Sequence, residues 1–142
     1  MITKAYNQLL FAKIVAAFIH RHAAGRAVPD NFSRTECLVL WAICFGILEV
    51  VLDDENHICG VGIGRLFSGE AKEFDWQEYN QGNQIVIDVI VCTKAAGRIE
   101  LIRRLYYRYP WVNGVFGFRK GKLVEYKQKH LKRLYRHGRN NY

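Results

Sequence analysis

The sequence predicts an α/β domain with a mixed central sheet flanked by helices, and three features carry this prediction. Hydrophobic residues make up 50% of the 142 residues, which is enough to build one core. Residues 85–92 are apolar on both alternating faces, as in a strand covered on both sides, and they run into a helical pattern. Residues 47–67 form two apolar runs around a polar cluster, which is typical of an antiparallel hairpin. Parallel and antiparallel pairs are therefore expected in one sheet.

Two helices are expected near the N-terminus. Residues 2–24 have apolar side chains at helical spacing, and Gly25 is placed to cap the end of this helix. A capping box starts at Ser33 immediately before an apolar run, which predicts a second helix over about residues 34–45. Gly46 is expected to end this second helix.

A hairpin and a loop are expected next. The polar cluster 53–56 is the predicted turn between strands 47–52 and 58–67, and the polar residues 68–82 predict a long loop. Three glycines share one face of the second strand, namely Gly60, Gly62 and Gly64. Glycines in a strand allow another group to approach closely. That group is either an acyl chain or acceptor, or the first helix packed tightly on the sheet.

A strand–helix–strand unit completes the predicted sheet. Strand 85–92 leads into a helix that ends near Tyr109, and two short strands follow at 115–118 and 123–126. Crossovers between parallel strands are right-handed. Strand 85–92 is therefore expected to lie beside strand 115–118.

The positive charge of the chain is concentrated at its C-terminal end. Residues 119–142 contain nine Lys or Arg and one acidic residue, a net charge of +8 that equals the charge of the whole chain. We therefore divide the chain into an α/β domain, residues 1–126, and a basic tail, residues 127–142. Such a tail suits nucleic acid or an acidic carrier protein, or keeps the protein soluble. Its candidate polyanion-binding residues are Lys127, Lys129, Lys132, Arg133, Arg136 and Arg139.

The apolar runs and the cysteines narrow the class of protein. The longest apolar run, residues 37–48, is too short to cross a bilayer, and the N-terminus lacks the pattern of a cleaved signal peptide. The four cysteines include no Cys-x-x-Cys pair, so no metal site is expected. Free thiols in apolar surroundings fit a reducing cytoplasm, which is the predicted location.

The turn after the central strand is the strongest candidate for a binding site. A helix that begins at the carboxyl end of a strand presents backbone N–H groups and the positive end of its dipole, which suits a phosphate. Asp88 lies inside the same strand, where an unpaired charge would be costly. Two interpretations stay open for Asp88: a carboxylate that acts with a histidine on a substrate, or a structural group hydrogen-bonded to the loop 68–82 or to a neighbouring turn.

The order of elements and the sequence of this turn resemble the acetyltransferase-like (GNAT) fold over roughly residues 34–126. In that superfamily the turn reads Arg/Gln-x-x-Gly-x-Gly/Ala and binds the pyrophosphate of coenzyme A. Lys94 takes the basic position and Gly97 the first glycine, while Ile99 replaces the second small residue. The resemblance implies a donor linked to phosphopantetheine, whose arm follows the strand and whose phosphate lies at the turn. The donor-binding residues that it implies are Val89, Ile90, Val91, Lys94, Ala96, Gly97 and Arg98.

Two stretches are similar to the toxin-activating lysine acyltransferases, a GNAT-like family that takes fatty acyl groups from acyl carrier protein. Residues 39–43 with the following hairpin resemble the second helix and first strands of that family, and residues 80–90 resemble its strand that carries Ile-Asp. In that family this Asp works with a His from the N-terminal region, which implies roles for Asp88 and His20. GNAT enzymes often use a Tyr as general acid, and Tyr126 is the candidate here.

Two hypotheses from different classes follow. The first is an acyltransferase that moves an acyl group from coenzyme A or acyl carrier protein to an amine acceptor, without a metal. The second is a non-catalytic GNAT-like structural protein, for example a phage virion component, whose basic tail binds nucleic acid or another polyanion. The altered phosphate turn and the concentrated charge of the tail favour the second hypothesis, and the buried Asp88 favours the first.

Overall fold

The computed structural model describes residues 4–23, 31–69, 82–119 and 122–126, and within them five strands form one mixed sheet flanked by three helices. The strands are β1 (Leu48–Leu52), β2 (Ile58–Phe67), β3 (Gln84–Cys92), β4 (Gly114–Arg119) and β5 (Lys122–Glu125). The helices are α1 (Lys4–His22), α2 (Phe32–Cys44) and α3 (Ala95–Arg108). The predicted α/β class with a mixed central sheet is confirmed.

The strands lie in the sheet in the order of the chain, β1-β2-β3-β4-β5. β2 pairs antiparallel with both β1 and β3, β3 pairs parallel with β4, and β4 pairs antiparallel with β5. The parallel pair is connected through α3, since parallel neighbours need a crossover. The predicted hairpin is confirmed, and so is the predicted pairing of the two crossover strands.

One face of the sheet is covered by α1 and α2. The buried residues of α1 recur at helical spacing and meet β-branched side chains in the middle of the sheet. This core contains Ala12, Val15, Ala16 and Ile19 from α1, Leu38, Val39 and Ala42 from α2, and Val61, Ile63, Val89 and Val91 from the sheet. The two N-terminal helices therefore pack as a pair on β2 and β3.

The start of α2 differs from the predicted capping box. The N-cap is Asn31, whose side chain accepts a hydrogen bond from the backbone N–H of Ser33 at 2.7 Å, and the helix begins at Phe32. The prediction that the box starts at Ser33 is therefore wrong. Asn is among the best N-cap residues because its side-chain oxygen reaches the N–H groups of the first turn.

The opposite face of the sheet is covered by α3, which lies directly over the glycines of β2. A Cβ atom at Gly62 would lie 3.2 Å from Leu101 Cδ2, and one at Gly64 would lie 2.6 Å from Leu105 Cδ2. The glycines therefore allow close packing of a helix, which is one of the two interpretations of this face. The expectation that the first helix packs there is wrong, because the crossover helix lies on this side of the sheet.

Ion pairs connect α3 to β1. The Glu49 carboxylate pairs with Arg108, and Arg104 Nη1 lies 3.5 Å from Glu49 Oε2. Arg104 Nη1 also donates a hydrogen bond to the carbonyl oxygen of Val50 at 2.9 Å. Two arginines of α3 are thus committed to the edge of the sheet.

Three predicted features lie outside the described residues. They are the cap at Gly25, most of the loop predicted over 68–82, and the basic tail 127–142. Within the ranges that the structure does describe, no helix has the length and apolar character needed to cross a membrane.

Candidate functional site

The parallel pairing of β3 and β4 ends halfway along β3, and the point where it ends is called the divergence of the two strands below. Their parallel pairing runs from Gln84 with Gly114 to Ile87 with Gly117, whereas β3 continues to Cys92. Beyond Gly117, the register of β4 continues with β5. The second half of β3 therefore lies outside the parallel ladder, and its end leads into α3.

The side chains of this second half of β3 are committed to the two cores. Val89 and Val91 pack with α1 and α2, and Ile90 packs on the side of α3. Side chains of a strand point to its faces, while its backbone groups point to its neighbours in the sheet. The role predicted for these three residues requires only their backbone, and the ladder between β3 and β4 ends before it reaches them.

Asp88 lies at a β-bulge at the point of divergence. The β2–β3 register pairs Ile63 with Val89 and Gly64 with Ile87, so Asp88 is an extra residue in β3. Bulges redirect side chains next to the irregular pair. Here the Asp88 side chain reaches Arg65 of β2. Gly64 faces α3, so the next residue, Arg65, faces the opposite side of the sheet, where α1 and α2 lie.

Asp88 and Arg65 form a buried ion pair. Arg65 Nε donates to Asp88 Oδ2 at 2.7 Å, and Arg65 Nη2 donates to Asp88 Oδ1 at 3.2 Å. The Asp88 side chain is 1% exposed and the Arg65 side chain is 0% exposed. This fork-shaped contact engages both carboxylate oxygens and fixes their orientation. Asp88 is thereby held in place by a permanently charged neighbour.

His20 lies on the same side of the sheet but contacts another residue. Its Nε2 is hydrogen-bonded to Thr35 Oγ1 at 2.8 Å, and its ring meets Phe32 edge-on with centroids 5.4 Å apart. Thr35 is fully buried between α1 and α2. The described contacts of His20 thus tie α1 to α2, and they do not join His20 to Asp88.

Tyr126 lies on the other face of the sheet. Its ring covers Gly117, where a Cβ atom would lie 2.8 Å from the Tyr126 hydroxyl oxygen. Val115 packs with Leu105 of α3, so Gly117, two residues on, faces the same side. The structure therefore places Tyr126 at the divergence of β3 and β4, with the sheet between its hydroxyl and the carboxylate of Asp88.

The start of α3 has an open side and a packed side. Ala96 is exposed in the first turn, and Arg98 is half-buried. A Cβ atom at Gly97 would lie 3.2 Å from the carbonyl oxygen of Cys59, so this glycine also permits contact between the helix and β2. The N-cap is Lys94, which makes no side-chain capping bond. The Gly97 N–H, however, already donates to the carbonyl oxygen of Lys94 at 3.1 Å. The prediction that this N–H binds a phosphate is therefore wrong, and Ala96 is the residue on the open side of the turn whose N–H suits an anion.

Asp53, in the hairpin turn, contributes a negative charge beside this helix start. Its Oδ1 accepts hydrogen bonds from the backbone N–H groups of His57 and Glu55, both at 2.9 Å, and its Oδ2 lies 3.4 Å from Lys94 Nζ. The hydrogen bond from His57 lowers the pKa of Asp53 below its ordinary value, and partial desolvation acts in the opposite direction. The hydrogen bond from Glu55 and the charge of Lys94 lower the pKa of Asp53 further. The turn and the N-cap of α3 are thereby linked through one carboxylate.

Asp53→Ala should lower stability at neutral pH and flatten the acid part of the stability profile. A carboxylate whose pKa is depressed by folding stabilises the protein above its ordinary pKa of 3.8, and this contribution is lost as pH falls through the folded value. Urea unfolding over a pH series measures the difference. Asp54→Ala is the matched control, because Asp54 is an exposed acid in the same turn. Identical pH profiles for the two variants would contradict the role of Asp53.

Arg65 is the residue at this site that the sequence analysis did not identify. It is the one charged residue of the otherwise apolar strand Ile58–Phe67, just as Asp88 is the one charged residue of Gln84–Cys92. Two apolar strands that each carry a single and opposite charge favour direct pairing of those charges, since an isolated buried charge is costly. This signal was present in the sequence.

Comparisons of the chain with protein-family models, curated proteins and solved structures found no match. Among the residues that the structure describes, no group of three or more His, Cys, Asp or Glu side chains is placed to hold a metal ion. The candidate site is therefore the divergence of β3 and β4. Its groups that can bind or react with a substrate are the backbone edge of β3, the first turn of α3 and the hydroxyl of Tyr126.

Proposed function

We propose that this protein is a GNAT-like acyltransferase that binds a phosphopantetheine-linked acyl donor at the divergence of β3 and β4 and transfers the acyl group to an amine. The observation that carries the proposal is that the parallel pairing ends at Ile87 and Gly117 while β3 runs on into α3. An extended arm with amide groups can hydrogen-bond along a strand edge as another strand would. A phosphate at the end of that arm then meets a helix N-terminus.

The phosphate end of the donor would meet the first turn of α3. The N–H groups of Ala96 and Arg98 would receive it, and Lys94 would contribute its charge, whereas the Gly97 N–H is engaged by the carbonyl oxygen of Lys94. Lys94 is already paired with Asp53, but its side chain is exposed. Exposed ion pairs are worth about 0–1 kcal/mol, so Lys94 can exchange this partner for a phosphate at small cost.

In this proposal Asp88 positions the donor site and does not take up a proton. Both of its oxygens are engaged by Arg65, and the pair fixes the bulge from which the backbone edge of Val89, Ile90 and Val91 extends. Tyr126 is the general acid, because its hydroxyl lies over Gly117, the last residue of β4 that pairs with β3. As the C–N bond to the amine forms and the C–S bond breaks, this hydroxyl would protonate the leaving thiolate, and the proton lost by the amine would return to the Tyr126 oxygen.

Ala96→Asp tests the donor site. We expect the parent protein to bind coenzyme A or acyl carrier protein in calorimetry and Ala96→Asp to bind at least about tenfold more weakly, because a carboxylate would occupy the anion position. The fold should be kept, since an acid in the first turn of a helix is favourable. Gly97→Asp is unsuitable, because its side chain would meet the carbonyl of Cys59.

Ala17→Asp, at an exposed position of α1, is the matched control for the added charge and should leave donor binding unchanged. Absence of donor binding by the parent protein would overturn the proposal. Equal binding by parent and Ala96→Asp would move the donor away from α3.

The second candidate is a non-catalytic GNAT-like protein that binds a polyanion through its basic tail. One observation favours it: the three residues implied as catalytic, Asp88, His20 and Tyr126, are held by separate partners or lie on different faces of the sheet. Polyanion binding that is lost when the six basic residues of the tail are changed to Gln, together with no acyl transfer detected by mass spectrometry, would support this candidate.

A further inference from the structure

The side of α1 that faces away from the sheet is apolar. Four large apolar side chains of this helix are between 41% and 51% exposed, namely Leu9, Leu10, Phe11 and Ile14. Residues three and four apart are neighbours on a helix, so Ile14 borders both Phe11 and Leu10 and the four form one patch. Exposed apolar patches on folded proteins mark contacts with another protein or with a membrane.

Cations lie among these apolar side chains. Lys13 follows Leu10 by three residues, and Arg21 follows Ala17 by four, so both cations lie on the same side of α1 as the patch. All of these positions are exposed. The apolar patch with Lys13, Ala17 and Arg21 is called the outer face of α1 below. Residues 4–22 contain no acid, so the outer face has no negative charge of its own to neutralise its cations.

The neighbouring helix α2 also presents few charges to its surroundings. Its exposed cysteines, Cys37 and Cys44, are seven residues apart and therefore lie on one side of the helix, about two turns from each other. The half-buried Leu40 and Trp41 lie between them in the sequence. Together the segments 4–22 and 32–44, which contain α1 and α2, have four Lys or Arg and one acidic residue. The helical layer on this face of the sheet is thus basic and apolar.

The charge of the outer face decides which partner fits it. In a symmetric dimer the same surface of both copies meets, so a second copy would bring cations against cations without an acid from α1. An anionic partner complements them instead. Leu9, Leu10 and Phe11 are consecutive and point in directions about 100° apart, which spreads the apolar groups over a wide arc of the helix. A partner helix contacts only a narrow seam, whereas a fluid lipid surface can surround such an arc.

We propose that the outer face of α1 binds the surface of an anionic membrane, with α1 lying in the plane of the lipid headgroups. Leu10, Ile14 and their apolar neighbours enter the boundary between headgroups and acyl chains, as in other interfacial helices. Lys13 and Arg21 have long apolar stems, so their charges reach the lipid phosphates while the stems stay among the apolar groups. This binding does not depend on the acyl donor, because α1 contributes no residue to the proposed donor site.

Co-sedimentation of the full chain with lipid vesicles tests this proposal. The parent protein should bind phosphatidylcholine vesicles that contain about one-third phosphatidylserine more tightly than vesicles of phosphatidylcholine alone. Leu10→Ser and Ile14→Ser should each weaken this binding by about fivefold or more at low and at high salt, because they remove buried apolar area. Lys13→Gln should weaken it by about fivefold at low salt and have little effect at high salt, where the charge is screened.

Controls separate the outer face of α1 from the rest of the molecule. Tyr107→Ser removes a ring that is 72% exposed on α3, across the sheet from α1, and should leave vesicle binding unchanged. A full-length variant with the six basic residues of the tail changed to Gln should still bind anionic vesicles and should still be weakened by Ile14→Ser. Ala17→Asp should weaken vesicle binding while Ala96→Asp leaves it unchanged, which is the reverse of their expected effects on donor binding.

Four results would overturn the proposal. They are no vesicle binding by the parent protein, equal binding to the two kinds of vesicle, Leu10→Ser and Ile14→Ser variants that bind like the parent, and binding that depends on the tail alone. A dimer in the absence of lipid that Ile14→Ser dissociates, measured by sedimentation equilibrium, would instead assign the outer face to a second copy of the chain.

Discussion

Asp88→Asn should lower the free energy of unfolding by about 3–5 kcal/mol, the usual effect of removing one partner of a buried ion pair. The Arg65 side chain is fully buried and donates two hydrogen bonds to the Asp88 carboxylate. Asn keeps the shape of Asp and one acceptor oxygen but no charge. The guanidinium would then lose the opposite charge that faces it across the pair. Unfolding in urea, followed by circular dichroism, measures this loss.

A double variant separates the stability contributed by the Arg65–Asp88 interaction from the contributions of the two side chains taken singly. Arg65→Met combined with Asp88→Leu should be more stable than either Asp88→Asn or Arg65→Met alone, because well-packed apolar residues often replace a buried ion pair at little cost. Asp88→Leu alone completes the cycle: if the losses of Arg65→Met and Asp88→Leu simply add up to that of the double variant, the two side chains are not coupled.

The two single variants should also differ in their response to pH. In Arg65→Met the remaining carboxylate can take up a proton and become neutral, whereas in Asp88→Asn the remaining guanidinium keeps its charge in a protein. The deficit of Arg65→Met should therefore shrink as pH falls, and the deficit of Asp88→Asn should not. Arg103→Met, at an exposed position, is the control for loss of an arginine. Parallel pH profiles for the two buried variants would contradict this account.

Gly82→Ala should cost about 3 kcal/mol, the upper end of the range for forcing atoms into a packed interior. A Cβ atom at Gly82 would lie 2.5 Å from the backbone nitrogen of Phe67 and 2.7 Å from its carbonyl oxygen. Backbone atoms of a central strand cannot move aside as the end of a side chain can. The carbonyl of Gly82 also accepts the hydrogen bond of Trp111, so a shift of this residue would disturb a second contact.

Gly64→Ala is the matched comparison for Gly82→Ala. Its Cβ atom would come within 2.6 Å of Leu105 Cδ2, a similar overlap, but with the end of a flexible side chain. We expect a loss of about 1 kcal/mol, since Leu105 can change its position within the core. Denaturant midpoints at a constant m-value measure both losses. Equal losses at the two glycines would show that the loss of stability does not depend on whether the contacted atoms belong to the backbone or to a flexible side chain.

Local patterns in the sequence were sufficient to predict the helices and strands of the fold. The apolar strand followed by a helical pattern became β3 and α3, and the polar cluster between two apolar runs became the turn between β1 and β2. Each of these features depends on neighbouring residues alone, through side-chain periodicity and turn chemistry. The face of the sheet that α3 covers depends on how the crossover is placed, and the expected partner of the β2 glycines was therefore wrong.

The side-chain partners at the candidate site could not be predicted from the hydrophobic periodicity of the sequence, because they depend on contacts between strands. Arg65 meets Asp88 only because a bulge adds one residue to β3 at that point. A shift of one residue in a strand exchanges the two faces, so the position of the bulge decides which side chains meet. For the same reason the sequence alone did not show that Tyr126 and Asp88 lie on opposite faces.

The order of the strands has a consequence for how the chain folds during synthesis. Each strand pairs with its neighbour in sequence, but paired residues are 6–15 positions apart in the β1–β2 ladder and 17–32 positions apart in the β2–β3 ladder, so the hairpin closes the shorter loop. α1, α2 and the β1–β2 hairpin can associate before the rest of the chain has emerged, since N-terminal elements are made first. Until β3 pairs with β2, Arg65 lacks the Asp88 carboxylate that faces it in the complete sheet. The charged pair is therefore completed only by the addition of β3, the same event that creates the central strand.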